Sequence, residues 1–248
     1  ERDYHNEELL YDMFGVNAEL LIDHAWGFEP TTMDLIKAYK PETNSISSGQ
    51  VLQCPYDAEK GKLIVREMTD LLVLDLVEKR LVTDQMVLTI GYDTDNLSNA
   101  KIKNAYKGEI TIDRYGRRIP KHAHGTANLS CPTSSTRLIT DAVMKLYDQI
   151  INPKLLIRRV TVAANHLLDE TQIRETEQFE QLDLFTDYAA LEKERKEEKE
   201  RLARERKLQE AMLSVKKKYG GNAMLKGMNL QEGATTRERN NQIGGHKA

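Results

Sequence analysis

Between Val51 and Ala164 the apolar spacing switches repeatedly between steps of two and steps of three to four, and that succession admits few folds. V-L-Q-C at 51–54, preceded by the polar run S-I-S-S-G-Q, reads as a strand ended by Pro55. Over residues 57–81, Ile64, Met68, Leu71, Leu72 and Leu76 fall on one helix face. D-Q-M-V-L-T-I-G-Y-D then alternates as a strand, with Met86, Leu88 and Ile90 on one side and Val87, Thr89 and Gly91 on the other. A polar stretch holding Gly108, Gly116 and Pro120 precedes a third strand, H-A-H-G-T-A-N-L at 122–129. P-T-S-S-T opens a second helix with Thr133 or Ser134 as its cap, and Leu138, Ile139, Ala142, Val143, Leu146 and Ile150 form its buried stripe as far as Pro153. L-L-I-R-R-V-T-V-A-A is the fourth strand.

The order β-α-β-β-α-β predicts an α+β fold, a four-stranded antiparallel-type sheet with two helices on one face. The other face stays open, and function is expected there.

The flanks differ in kind. Residues 1–40 read as short helices broken by Gly15, by W-G-F-E-P at 26–30 and by Pro41, too little for a core of their own. The chain opens on Glu1 rather than Met, so it is expected to be a piece of something longer. From 170 onward, L-E-K-E-R-K-E-E-K-E-R-L-A-R-E-R-K reads as a single helix laced by Glu192/Lys196, Glu197/Arg201 and Glu200/Arg204 pairs. Its apolar positions are too sparse for a coiled-coil seam. K-K-K-Y-G-G-N ends it, and the Gly/Asn/Arg-rich remainder is expected to be disordered on its own.

Charged residues are 30% of the 248 and the net charge is only −3, so charge has to be read locally. Two cysteines without metal-type spacing fit a reducing cytoplasm. No apolar run approaches the roughly 20 residues of a membrane helix, which argues against a membrane partner. E-R-D-Y-H-N is no signal peptide.

On the open face the last strand presents Arg159, Thr161 and Ala163, with Val160 and Val162 turned toward the helices. The third strand offers Gly125, Thr126 and Asn128, and the first begins with Ser45, Ser47, Ser48 and Gly49. Small side chains let backbone N–H groups approach a phosphate, and an arginine neutralises it, which equips a surface to hold a nucleic-acid backbone without reading bases. Lys101, Lys103, Lys107, Arg114, Arg117, Arg118 and Lys121 add basic character, although such a run is more often a solvated loop. RNA-recognition modules share the element order but stack bases on sheet aromatics. The central strands here have no such pair, so base stacking is not expected while backbone tracking is; the shared element order keeps a non-catalytic RNA-binding or scaffold module of ferredoxin-like topology as the rival reading.

Two chemical motifs are discounted. Asp93 and Asp95 form a D-x-D pair, yet a strand end running into a turn explains them better, because no third carboxylate accompanies them. His122 and His124 share a strand face but lack the further ligands a zinc site needs.

S-I-S-S-G-Q-V-L, V-L-T-I-G-Y-D, H-G-T-A-N-L followed by P-T-S-S-T, and I-R-R-V-T-V-A-A together resemble the little-finger domain of bacterial Y-family translesion DNA polymerases, of the ultraviolet-repair, mutagenesis-protein type. L-L-Y-D-M-F-G-V-N-A-E-L-L-I-D-H-A-W-G-F-E-P resembles the end of that family's thumb, and G-N-A-M-L-K-G-M-N-L with T-T-R-E-R-N-N-Q-I-G-G-H-K-A its C-terminus. The resemblance implies a thumb end at 1–40, a little finger at 41–169 and a tail at 170–248. It implies a part of a polymerase of DNA repair and SOS mutagenesis that binds primer–template DNA. Ser45, Ser47, Ser48 and Gly49 would meet one strand's phosphates; Arg158, Arg159 and Thr161, with Thr126 nearby, would meet the other's. Where Ala163 stands the family often has a basic residue, so that contact is not expected here. The metal-holding carboxylates of the family lie in the palm, so Mg²⁺ is expected in the full-length parent, no cofactor in this fragment, and no polymerisation by it alone.

Q-L-D-L-F, Gln181-Leu182-Asp183-Leu184-Phe185, sets apolar side chains at the edge of a charged tail. It resembles the peptide by which bacterial polymerases dock on the sliding clamp, Gln181 hydrogen-bonding and Leu182, Leu184 and Phe185 filling apolar pockets. For the C-terminal end, the palm, DNA or a recombinase filament remain open as docking partners.

Overall fold

The protein is described by a computed structural model over residues 6–39, 44–113, 115–172, 188–243 and 246–247. It divides into two compact units, the second starting at Asn44.

In the first unit, α1 (Glu7–Phe14) and α2 (Asn17–Ala25) are joined through Gly15, whose φ of 57° lies in the left-handed region that glycine enters without strain. Thr32 caps α3 (Met33–Ala38), its hydroxyl accepting the Leu35 N–H. Among its described residues only Ala18 is buried, while Phe14, Trp26, Phe28 and Ile36 are exposed.

The second unit runs β1 (Ile46–Tyr56), α4 (Ala58–Glu78), β2 (Leu81–Tyr92), α5 (Asp95–Ser98), α6 (Ala100–Ala105), β3 (Ile110–Ile112), β4 (Arg118–Pro120), β5 (Ala123–Thr133), α7 (Thr136–Ile150), β6 (Ile157–Asn165) and β7 (Leu168–Asp169). The sheet order is β1-β6-β2-β5, every pair antiparallel, with β7 added against the start of β2. The α+β expectation, four strands with two helices on one face, is borne out. Strands β1 and β5 both run farther than the apolar patterns indicated. β1 starts at Ile46, and both strands carry a proline near their ends, Pro55 and Pro132, tolerated because each lies in an edge strand.

Period 2 on the strands and 3.6 on the helices meet in one core. Leu52, Met86, Leu88, Ile90, Val160 and Val162 from the sheet pack with Ile64, Met68, Leu72, Ile139, Val143 and Leu146 from the helices. Asp57 caps α4 by accepting the Lys60 N–H at 2.8 Å. Gly61 permits close approach of α4: a Cβ there would lie 2.3 Å from Ile157 Cδ1. Tyr147 donates its hydroxyl to the Ala58 carbonyl at 2.7 Å, and burial pushes its pKa up. The cap of α7 is Ser135, not Thr133 or Ser134. Thr133 is still in β5, and its hydroxyl accepts the Ser135 N–H, which sets Ser135 to receive the Leu138 N–H.

The polar stretch after β2 is structured. Two short helices lead into the β3–β4 hairpin, with Thr111 opposite Ile119. Asp113 closes its turn, accepting the Tyr115 and Arg117 N–H groups and pairing with the Arg117 guanidinium at 2.7 Å.

The C-terminal part departs most from expectation. The helix is found, α8 (Tyr188–Tyr219), but several of its charges bind the domain instead of water. Glu205 accepts from the Ser135 hydroxyl and the Arg137 N–H, Gln209 donates to the Ser134 carbonyl, Arg206 pairs with Glu170, and Arg137 pairs with Glu198. Helix α7 begins with unpartnered N–H groups, so a carboxylate from α8 is well placed there. After α8 the chain folds on, through a 3-10 turn at Gly227–Leu230, α9 (Thr236–Arg239), β8 (Gln242–Ile243) and β9 (His246–Lys247). The turn and α9 segment lie against α4 and the helical side of β1, where Glu67 and Gln50 supply the partners. Sequence-local reading cannot find such partners, because they lie more than 160 positions away.

Candidate nucleic-acid interface

The strand register lays the open face out in four cross-strand rows. Val51, Arg159 and Gly91 form one; Gly49, Thr161, Thr89 and His124 the next; Ser47, Ala163, Val87 and Thr126 the third; Asn165, Gln85 and Asn128 the last. Inward neighbours Val160 and Val162 are fully buried, whereas Ser47, Gly49, Thr126 and Arg159 are exposed. Helices α4 and α7 pack on the opposite side, where Thr235 and Arg239 bond Gln50 and Ser48 at the β1 edge.

Arg158 and Arg159 both reach the accessible side although they are consecutive. Gly91 pairs with Arg159 and Tyr92 with Ile157, so Arg158 is an extra residue in a β-bulge. The bulge breaks the alternation that would otherwise turn one arginine inward. The two are not equivalent, however. Arg158 donates Nη1 to the Gln53 carbonyl at 3.0 Å and lies 3.6 Å from the Asp93 carboxylate. Arg159 has no ion-pair partner among the described residues. A Cβ on Gly91 would come within 3.1 Å of the Arg159 Cβ, so glycine there leaves the arginine room.

Both arginines line an open cleft of about 720 Å³ between the sheet end and the β3–β4 hairpin, which contributes Asp113, Tyr115, Arg117 and Ile119. Partial desolvation raises the Asp113 pKa, but hydrogen bonds from Arg117 and Tyr115 outweigh it and hold the carboxyl below its ordinary range.

Ser45, Ser47, Gly49, Thr126, Arg159 and Thr161 lie on the accessible side, Ser45 just before β1. Ser48 does not: it points to the helical side and accepts from the Arg239 guanidinium at 3.3 Å. Gly125 also faces inward, where a Cβ would lie 2.8 Å from Leu146 Cδ1. Both follow from the strict alternation of a strand once its start is known. Of the basic run before β5, Arg117 and Lys121 are paired with Asp113 and Glu109; Arg114 lies outside the described residues, as does the whole of Gln181, Leu182, Asp183, Leu184 and Phe185.

Of the last row only Asn128 was read from the sequence; Gln85 and Asn165 were missed. Asn165 donates to the Gln85 side chain, which donates to Asn128, both at 3.0 Å, and this amide chain ties β6, β2 and β5 together. Carrying period 2 back to Gln85 and on to Asn165 would have found it.

Asp93 accepts the Asp95 N–H at 2.8 Å and caps the turn after β2, so the D-x-D pair forms the strand-end turn expected of it. His122 and His124 meet edge to face with ring centroids 6.4 Å apart, and His124 Nδ1 bonds Thr89 Oγ1 at 2.9 Å. Among the described residues no group of three or more His, Cys, Asp or Glu could hold a metal, and no helix is long and apolar enough to cross a membrane.

Residues 43–184 match the sequence model of the impB/mucB/samB family C-terminal domain. Among solved structures, a Y-family DNA polymerase chimera of Dbh and Dpo4 aligns at 10% identity with a TM-score of 0.34, covering 66% of this chain and 39% of its own. A post-insertion binary complex of Dbh DNA polymerase aligns at 10% identity and a TM-score of 0.30, with the same coverage. The chain therefore spans 39% of the length of these polymerases. No curated protein sequence matches it.

Proposed function

Since the chain belongs to the impB/mucB/samB family of Y-family DNA polymerases, as its C-terminal domain, we propose that its open sheet face holds the backbone of primer–template DNA beside a translesion active site. The observation that carries this is Arg159, exposed and without an ion-pair partner among the described residues, set between Val51 and Gly91 with Gly49, Thr161 and Thr89 in the next row. A free guanidinium among small residues suits a phosphate, and its lack of a base-reading neighbour suits sequence-independent binding.

Sheet dimensions support the same reading. Three inter-strand steps of about 4.8 Å put Ser47 and Thr126 about 14 Å apart, near the roughly 12 Å width of a B-DNA major groove. The two rims of the sheet then meet the two backbones bordering the groove. On the open face the two central strands, β6 and β2, carry no aromatic side chain, the one aromatic ring of the four rows being His124 on the edge strand β5; this disfavours the paired base stacking of the RNA-binding rival.

Around this grip we place the remaining parts. The parent is a polymerase of DNA repair and the SOS response, acting in the cytoplasm. Nucleotidyl transfer and its Mg²⁺ belong to the palm of that parent; Asp93 is occupied by its turn and is assigned no metal. Gln181 to Phe185 dock on the sliding clamp, which raises the local concentration of a weak DNA-gripping domain.

The test is duplex binding by this chain as a function of salt. Log affinity should fall linearly and steeply with log salt if phosphates are held; a flat dependence would overturn the proposal in favour of a scaffold.

A further inference from the structure

On the inward side of β1, alternation calls for apolar residues, yet Ser48 and Gln50 stand between Ile46 and Leu52. Helix α4 has a matching anomaly, since Glu67 and Asp70 are both buried. All four face one partner. Arg239 donates to Ser48 Oγ and Gln50 Oε1, Thr235 exchanges hydrogen bonds with the Gln50 amide, Glu67 accepts from Asn229 Nδ2 and the Thr235 N–H, and Asp70 pairs with Lys226. Polar positions on two separate elements are thus satisfied by one stretch of chain. Buried polar groups need partners, so these residues form a built receptor for it.

We infer that Lys226–Arg239 is a strap that positions β1, and that Arg239 is its positioning residue for the DNA grip. This rests on the function proposed above. β1 is an edge strand, paired on one side only, and its Ser47 and Gly49 belong to the phosphate-facing rows. The Arg239 fork holds the two inward residues that flank Gly49, and so fixes where the outward face of the strand lies. Arg239 acts from the helical side and touches no phosphate itself.

The test compares the full chain with R239A and R239K, using hydrogen exchange at the β1 amides and duplex affinity over a salt series. R239A should speed exchange from Ser47 to Val51 and weaken duplex binding roughly five- to tenfold, with an unchanged salt slope. R239K should not rescue, because an ammonium lacks the planar fork that bridges two acceptors. Unchanged exchange in R239A overturns the strap. A salt slope reduced by about one, with rescue by lysine, overturns positioning in favour of direct phosphate contact. If the unaltered chain binds no duplex, the function proposal fails, and β1 exchange alone decides whether the strap stands.

Discussion

Glu67 on α4 accepts the backbone N–H of Thr235 at 2.8 Å, a hydrogen bond that spans 168 positions of sequence. Its other carboxylate oxygen accepts from Asn229 at 2.7 Å, and the side chain is almost wholly buried. Removing it leaves two donors without a partner. Glu67→Ala is expected to cost about 2–4 kcal/mol, on the scale of hydrogen bonds to a buried charge. Urea unfolding measures the loss, and limited proteolysis should show cleavage appearing first after Tyr219.

Arg159→Ala should weaken duplex binding by similar factors on unrelated DNA sequences and lower the salt slope by about 0.9, the share of one neutralised phosphate. Arg158→Ala should do less, since Arg158 already binds the Gln53 carbonyl and faces Asp93. Anisotropy titrations of both variants at several salt concentrations decide between them.

Gly61→Ala places a methyl group 2.3 Å from Ile157 Cδ1 and 3.0 Å from the Tyr147 hydroxyl. Overpacking of this kind costs about 1–3 kcal/mol, despite the better helix propensity of alanine. The expected readout is a lower denaturation midpoint with an unchanged m-value.

The Asp113 carboxyl titrates below its ordinary value of 3.8, so the folded hairpin binds fewer protons than the unfolded one. Its contribution is fully present above that ordinary value and is lost as pH falls through the depressed one. Amide exchange at Tyr115 and Arg117 should therefore become less protected in strong acid. Asp113→Asn should remove that pH dependence, and its persistence would show that another group is responsible.

Leu184→Ala with Phe185→Ala should abolish capture by the sliding clamp and leave duplex affinity unchanged. Intact capture would retire the clamp proposal.

Much of the fold was legible because its signals are local. Met86, Leu88 and Ile90 on β2, and Ile64, Met68 and Leu72 on α4, carry the periods of their elements in adjacent residues, and all six lie in the core. Arg159 and Thr161 were placed on the open side by the same alternation. Ser48 was not, because its facing depends on β1 starting at Ile46, inside a run too polar to read as strand. The shared exposure of Arg158 and Arg159 depends on a bulge, which appears only when the neighbouring strand is in register.

Sequence alone determined the element order, the sheet-and-helix core and the residue types offered to a phosphate, since spacing along the chain decides which side chains share a face. Tertiary structure decided which charges meet water. Glu67, Glu205 and Arg239 carry no local sign of a partner, yet each is held by one at least 68 positions away. A charge carries no mark of its future partner; the match arises only when remote surfaces close on one another and exclude solvent.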